Sequence, residues 1–239
     1  MTSDLVLVEK LLGYTFQDKS LLKRALTHRS WVYEKFSKEL SEEEIHKKHN
    51  ENLEFIGDAV LGLAIVEALC EKHGDLSEGK LTLMKHFLTS ASVIAKVAEK
   101  LNLGKHILIS QGEEKTGGRS KKNLLADCFE AIVGAIFLDS GYVSARSFVR
   151  RAFIEELREV TPETCVDYKT LLQEVLQARK SEAPKYRVVE TSGPAHKPTF
   201  YVEVSWDGGK AIGRGSSKKQ AEMMAASLAL EKIKQQEVG

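Results

Sequence analysis

The stretch that decides the fold is NENLEFIGDAVLGL, residues 50–63, which continues as a mostly apolar run to Leu69. It carries three carboxylates, Glu51, Glu54 and Asp58, and their separations of three and four residues place them on one side of an α-helix. A helix that is apolar on nearly all of its faces is typical of a buried element. The stretch therefore predicts a buried helix that brings acids to the edge of a core, where lone carboxylates need cations.

A second stretch, LLADCFEAIVGAIFL at residues 124–138, repeats this pattern. Asp127 and Glu130 are three residues apart and share one helix face. Neither stretch places a Lys or Arg beside its acids. Two such helices predict one shared carboxylate cluster that holds a divalent metal, and ligands that are all oxygen favour Mg²⁺ or Mn²⁺ over zinc.

Length and charge suggest two different parts. A chain of 239 residues suits one or two domains. From residue 166 onward there are 12 Lys and Arg against 9 Asp and Glu, a net charge of +3; the part before carries 23 against 25, a net charge of −2. A mildly basic C-terminal part therefore follows a mildly acidic N-terminal part.

Several features indicate a cytoplasmic protein. No apolar run reaches the roughly 20 residues of a membrane span, and residues 1–5 lack the features of a signal peptide. The three cysteines, Cys70, Cys128 and Cys165, are far apart and lack CxxC spacing. We interpret them as reduced core thiols rather than as disulfides or a zinc site.

Helical periodicity predicts an all-α domain over residues 1–160. The predicted helices include residues 6–12, 21–26, 50–73, 90–101, 124–138 and 143–160, with one more opened by Ser77. The polar segment 31–49 is interpreted as a solvated loop or helical excursion, and a metal role for His46 and His49 is the alternative. His28 could be a catalytic base, but a packed or hydrogen-bonded histidine is preferred because no nucleophile is spaced to match it.

The pattern changes after residue 160. Residues 161–165 are the candidate linker, and residues 166–236 predict a domain of the order α-β-β-β-α, with period-two alternation at 200–206 and a hairpin signal at Asp207-Gly208-Gly209. Lys218 and Lys219 at the start of the last helix predict a phosphate site.

Two further polar elements accompany this phosphate site. Gln173 and Glu174 lie on the first helix of the domain, and His196 lies in the loop 193–198 between two strands. A helix face, a loop and a basic helix start together suit successive grooves of double-stranded RNA. In the N-terminal domain, the basic residues of the loop 113–122, Arg119, Lys121 and Lys122, either contact a phosphate or form a solvated turn.

These motifs resemble bacterial ribonuclease III. Residues 50–58 (NENLEFIGD) look like that family's signature and residues 125–131 (LADCFEA) like its second acidic motif. Residues 12–16, 26–30 and 113–119 also match, and the C-terminal part resembles the family's double-stranded RNA-binding domain. The resemblance covers nearly the whole chain, with the motifs in family order.

The resemblance implies a Mg²⁺-dependent endoribonuclease, with Mn²⁺ able to substitute. It would cut double-stranded RNA to leave 5′-phosphates and short 3′ overhangs, and would process ribosomal RNA precursors and other structured transcripts. The implied metal ligands are Glu54, Asp127 and Glu130; the implied catalytic residues are Asp58 and Glu130; the implied supporting acids are Glu51 and Glu78. The implied RNA contacts are Gln173, His196, Lys218 and Lys219, and Phe55 is implied to pack into the partner subunit of a homodimer.

Two other functions compete with this one. A non-catalytic double-stranded RNA-binding regulator could use the same fold, but Glu54, Asp58, Asp127 and Glu130 are all present. A metal phosphohydrolase acting on small nucleotides would not need the C-terminal domain, and the chain lacks a His-Asp dyad at metal spacing. The chain departs from the family pattern at Asn52 and Ile56 and in the length of segment 31–49.

Overall fold

The computed structural model describes residues 4–165, 167–194 and 198–238, and the chain divides into two compact units, Met1–Cys165 and Val166–Gly239. The described residues of the first unit form helices, and those of the second form a three-stranded antiparallel sheet with one helix before it and one after it. This confirms the predicted fold class. None of the described helices is both long and apolar enough to cross a membrane.

Eleven α-helices follow one another in the described part of the first unit, and two 3₁₀ turns lie at Leu103–Lys105 and Gly118–Ser120. The helices are α1 (Leu5–Leu12), α2 (Lys19–Ala25), α3 (Arg29–Phe36), α4 (Glu42–His46), α5 (Glu51–His73), α6 (Glu78–Leu88), α7 (Ala91–Lys100), α8 (Gln111–Lys115), α9 (Lys122–Ala152), α10 (Ile154–Glu159) and α11 (Pro162–Cys165).

The centre of this unit is the contact between α5 and α9, where two glycines let the backbones touch. A Cβ added to Gly57 would lie 1.8 Å from the carbonyl oxygen of Glu130, and one added to Gly134 would lie 2.1 Å from the carbonyl oxygen of Leu53. The expectation that Gly57 sits at a close backbone approach is confirmed. For Gly62 the same expectation is wrong, because its nearest neighbour is the flexible end of Lys85, at 3.9 Å.

One side of α5 is covered within the chain and the other is not. Leu53, Leu61 and Ile65 are buried in the core, whereas Phe55 is 81% exposed and Leu63 is 51% exposed. The prediction of a helix buried on nearly all faces is therefore wrong for the single chain. The uncovered side carries Phe55, Leu63 and Val66, which we call the apolar face of α5.

Two segments differ from, or refine, the predicted elements. Where the sequence predicts separate helices over 124–138 and 143–160, α9 runs on to Ala152 and is interrupted at Gly141, whose φ of 77° breaks the helical backbone. The polar segment 31–49 is a helical excursion, as one of the two interpretations had it. Within it, Ser41 and Glu44 cap α4 reciprocally.

The end of the first unit and the cysteines also bear on the sequence interpretation. The residues expected to form the linker include α11, which packs against α6 within the first unit. Cys128 is a buried core thiol, as expected, and all three cysteines are free. Cys70 is exposed, so the expectation of a core thiol is wrong there, because Cys70 lies on the same side of α5 as the apolar face.

The second unit consists of α12 (Tyr168–Ala178), β1 (Lys185–Ser192), β2 (Thr199–Trp206), β3 (Gly209–Gly215) and α13 (Lys218–Val238). The sheet order is β1-β2-β3, all antiparallel, and Gly208 with φ of 97° makes the turn between β2 and β3. Small residues bring α13 onto the sheet: a Cβ on Gly213 would lie 2.1 Å from the backbone nitrogen of Ala225. The first residues of α13 are thereby held at the end of β3.

Candidate functional site

Three carboxylates from the two central helices converge. Glu54 comes from the first turn of α5, and Asp127 and Glu130 come from α9; one oxygen of each lies within 4.8 Å of the others. The glycine contact produces this convergence, because the carbonyl oxygen facing Gly57 belongs to Glu130 itself. The sequence prediction of one shared carboxylate cluster, carried by two helices, is confirmed in its geometry.

The carboxylates of this cluster hold protons unusually well. Burial, and then the charges of Asp58, Glu54 and Asp127, raises the pKa of Glu130 to about 8. Burial, followed by the charge of Asp127, raises the pKa of Glu54 to about 7. Burial also raises the pKa of Asp127. Among residues 4–165, no Lys or Arg forms a salt bridge with these three carboxylates, so ionising them together calls for an added cation.

The donor set decides which cation fits. Glu54, Asp127 and Glu130 offer only carboxylate oxygens, which are the ligands that Mg²⁺ and Mn²⁺ prefer. Each carboxylate is half-buried, so the cluster remains open enough for water and substrate to complete the coordination of an ion. The residues present therefore fit a hard divalent metal.

The other three predicted acids, Asp58, Glu51 and Glu78, are not among the converging carboxylates. Asp58 is exposed on α5, and its charge contributes to the raised pKa of both Glu130 and Glu54. Glu51 accepts a hydrogen bond from Nη1 of Arg29 at 3.2 Å. Glu78 is exposed at the start of α6 and is not one of the three converging carboxylates.

Two adjoining cavities give access to the cluster. One, of about 390 Å³, contains Glu54 and Asp127; its lining is completed by His28, Arg29, Asn50 and Glu51. The second, of about 490 Å³, shares Asp127 with the first and adds Lys121 and Lys122. Positive side chains thus stand beside the acidic cluster, as binding of an anionic substrate requires.

Basic and histidine residues near the site divide into structural groups and cavity-lining groups. His28 caps α3, accepting a hydrogen bond from the Ser30 amide, so its interpretation as a hydrogen-bonded histidine is confirmed. Arg119 donates to the carbonyl oxygens of Gly104 and Ile107 and pairs with Glu114, so the alternative of a solvated turn is wrong for this residue, and a phosphate contact stays a prediction.

Sequence reasoning missed Arg29. It lies 22 positions before Glu51 in the chain, and no spacing rule connects the two residues. Its only signal in the sequence is its place in the motif at residues 26–30, next to His28.

Three of the four predicted RNA-contacting residues of the second unit are exposed to solvent. Lys218 and Lys219 are exposed at the start of α13, and the Ser217 hydroxyl caps that helix by accepting from the Gln220 amide at 3.2 Å. Gln173 is exposed on α12. His196 lies outside the described residues.

Comparison with known proteins accounts for both units. The family described as Ribonuclease-III-like matches residues 18–157. The chain belongs to the ribonuclease III family. The family described as Double-stranded RNA binding motif matches residues 168–233, so this ribonuclease III carries a second, RNA-binding unit.

Individual members of the ribonuclease III family resemble the chain along its length. Ribonuclease 3 of Natranaerobius thermophilus is 40% identical over 232 residues, which cover 96% of each chain. Ribonuclease 3 of Alcanivorax borkumensis is 42% identical over 240 residues, or 99% of each chain. The nuclease domain of ribonuclease III from Campylobacter jejuni superposes with a TM-score of 0.57 at 38% identity, covering 66% of this chain and 100% of that domain. The chain is accordingly a ribonuclease, an enzyme of the hydrolase class.

Proposed function

We propose that this ribonuclease III hydrolyses phosphodiester bonds in both strands of double-stranded RNA, using Mg²⁺, and leaves 5′-phosphates and short 3′ overhangs. The observation that carries the proposal is the convergence of Glu54, Asp127 and Glu130, none of which forms a salt bridge with a Lys or Arg among residues 4–165, in a chain that also has a double-stranded RNA-binding unit. Its substrates are structured transcripts of the cytoplasm, ribosomal RNA precursors among them.

The carboxylates divide the chemical work. Glu54, Asp127 and Glu130 hold the metal, and Mn²⁺ substitutes for Mg²⁺ because both accept oxygen ligands. When bound, the ion would offset the negative charge that develops on the phosphate and lower the pKa of water. Asp58, exposed beside Glu130, accepts a hydrogen bond from the attacking water and holds it in line with the phosphorus atom. The bond between the phosphorus atom and the 3′ oxygen then breaks, so the upstream fragment ends in a 3′-hydroxyl group and the phosphate stays on the 5′ oxygen of the downstream fragment.

Supporting groups keep this arrangement in place. Glu51 is fixed by Arg29 and contributes negative potential, since its charge raises the pKa of Glu54 and of Asp127. Lys122 lines the cavity next to Asp127 and attracts the RNA backbone, whereas Lys121 in the same lining is paired with Glu113. Glu78 is kept as a supporting acid on the family resemblance alone.

The second unit supplies affinity for the duplex. Lys218 and Lys219 combine their charges with the backbone amides and dipole of the first turn of α13, which together bind phosphate. Gln173 on α12 contacts the minor groove, where 2′-hydroxyl groups distinguish RNA from DNA. His196 is proposed for a neighbouring groove.

The apolar face of α5 supports a homodimer. An exposed phenylalanine at 81% accessibility is costly in a lone chain, and Leu63 and Val66 extend the patch. The Campylobacter jejuni nuclease domain is described as having a region involved in dimer formation. In this chain Phe55 packs into the partner subunit, and each of the two centres cuts one strand.

Glu130→Gln tests the active-site assignment, because glutamine keeps the shape of the side chain and removes its charge. We expect no cleavage of long duplex RNA in Mg²⁺, while binding to the same RNA survives. Glu99→Gln on the exposed side of α7 is the matched control and should cut normally. Full activity of Glu130→Gln would refute the assignment.

Wild-type results decide between the competing functions. A protein that binds duplex RNA but yields no products in Mg²⁺ would be a non-catalytic regulator. Hydrolysis of a small nucleotide that duplex RNA does not inhibit would indicate a nucleotide phosphohydrolase. An EDTA control establishes whether the metal is required.

A further inference from the structure

A second group of potential metal ligands lies at the junction of α4 and α5. His46 is the last residue of α4, Glu51 is the first residue of α5, and His49 lies between them. One ligand atom from each residue lies within 4.8 Å of the others. Nε2 of His49 lies close to both of the other ligand atoms, at 3.2 Å from Nδ1 of His46 and 3.9 Å from Oε2 of Glu51.

These separations match the edges of a tetrahedral site. Zinc binds imidazole nitrogen and carboxylate oxygen at about 2.0–2.2 Å, so two of its ligands at the tetrahedral angle lie about 3.3–3.5 Å apart. The measured 3.2 Å and 3.9 Å fall on either side of that value. Small side-chain rotations would bring all three donor atoms to bonding distance from one ion.

The surroundings hold two of the ligands in orientation. Arg29 donates a hydrogen bond to Oε1 of Glu51, and the other oxygen, Oε2, faces His49. The ring of His49 is 1% exposed and therefore has little freedom to turn away. A metal on Nε2 requires the ring proton on Nδ1, so binding gives up two hydrogen bonds of His49. One is the 3.2 Å bond between its Nε2 and Nδ1 of His46, and the other is the 3.4 Å bond from the Glu51 amide, near the upper limit for such a contact.

We propose that His46, His49 and Glu51 form a binding site for a zinc-like transition metal. Two imidazoles and one carboxylate select such an ion over Mg²⁺, in contrast to the all-oxygen cluster of Glu54, Asp127 and Glu130. His46 is exposed, so a water molecule completes the coordination from the solvent side. The bound ion ties α4 to the first turn of α5, the turn that carries Glu54, and so stabilises the start of that helix.

Metal titration of the untagged full-length chain, in millimolar Mg²⁺ to fill the oxygen cluster, tests this site without RNA. Co²⁺ should bind once per chain with the strong visible absorption of a tetrahedral complex, and Zn²⁺ should displace it. His46→Ala should weaken Zn²⁺ binding about tenfold or more and abolish the absorption. His86→Ala removes another exposed histidine and is the matched control, with no expected effect.

Thermal unfolding gives an independent readout. Zn²⁺ should raise the Tm of wild type and of His86→Ala, but not that of His46→Ala, because a ligand stabilises only a fold that binds it. Glu130→Gln should keep the tetrahedral Co²⁺ signal, since Glu130 belongs to the other cluster. Equal Zn²⁺ affinity in wild type and His46→Ala, or a Co²⁺ signal that disappears in Glu130→Gln, would overturn the proposal. Neither outcome contradicts the nuclease assignment, which the cleavage assay of Glu130→Gln tests separately.

Discussion

Replacing Gly57 by alanine should separate the two halves of the carboxylate cluster. The new Cβ would lie 1.8 Å from the carbonyl oxygen of Glu130, 1.2 Å short of the 3.0 Å that real Cβ atoms respect. The obstacle is backbone in the middle of α9, which cannot rotate aside as a side chain can. The two helices must therefore move apart by about 1 Å, or one of them must bend.

The clash in Gly57→Ala should lower both the stability and the activity of the protein. Overpacking against a rigid neighbour costs about 3 kcal/mol or more, and the higher helix propensity of alanine returns about 1 kcal/mol of that. We expect a net destabilisation of about 2–3 kcal/mol, a large part of the stability of an ordinary domain. A displacement of about 1 Å also spoils metal-ligand distances and should reduce cleavage about 100-fold.

Gly79→Ala in α6 is the matched control, because this glycine also lies within a helix. Its Cβ would meet no described atom within 4 Å, so alanine should be neutral or stabilise by up to about 1 kcal/mol. Urea unfolding of both variants measures the free energies, and cleavage of a duplex RNA measures activity. Wild-type stability and activity in Gly57→Ala would show that the α5–α9 contact is not as described.

The other predictions concern charge, assembly and RNA affinity. Burial and neighbouring carboxylates raise the pKa of Glu130 from 4.5 to about 8, so between these pH values the metal-free folded chain retains a proton that the unfolded chain has lost. The free energy of unfolding in EDTA should therefore fall as pH rises through this window. Glu130→Gln should reduce that fall by on the order of 2 kcal/mol, a value discounted for solvent screening, as measured by thermal or urea unfolding. Identical pH profiles of wild type and variant would contradict the raised pKa. Phe55→Asp should yield a folded monomer in sedimentation analysis, because the side chain is 81% exposed in the single chain; an intact dimer would exclude this face as the interface. Replacing both Lys218 and Lys219 by alanine should weaken duplex binding and lower the salt dependence of log K by about two, while Ser217 still caps α13; an unchanged salt dependence would remove these residues from the interface.

The carboxylate cluster was predictable because helical periodicity is a local property. Spacings of three and four residues put the acids of each stretch on one face, and the absence of adjacent cations indicated that the two faces belong together. Spacing could not rank Glu54 above Glu51 or Asp58, because all three share one side of α5. Their ranking came from the resemblance to ribonuclease III, and the structure adds that Glu54 alone of the three converges with Asp127 and Glu130.

Contacts between distant segments were beyond the reach of sequence patterns. Gly57 and Gly62 look alike in the sequence, yet only Gly57 faces the backbone of α9. Arg119 sits in a loop that reads as flexible and basic, but its guanidinium binds carbonyl oxygens from another segment. Arg29 reaches Glu51 only through the folding of the chain.

An apolar sequence pattern predicts that a helix face is buried, but it does not identify the segment or molecule that buries it. The apolar run of α5 predicted burial on nearly all faces, and the single chain leaves Phe55, Leu63 and Val66 uncovered. In the proposed homodimer, the pattern records the sum of contacts within the chain and with the partner. Only the structure separates these two contributions.

The paired glycines Gly57 and Gly134 have a consequence for how this enzyme can change over generations. The distance between its two ligand-bearing helices is set by main-chain atoms, which are the same in every residue type except proline. Side chains elsewhere in the core can therefore vary in size, at a cost in stability, while the spacing of the metal ligands stays fixed. Substitutions in the rest of the core can therefore accumulate without moving the metal ligands, whereas substitutions at the two glycines cannot.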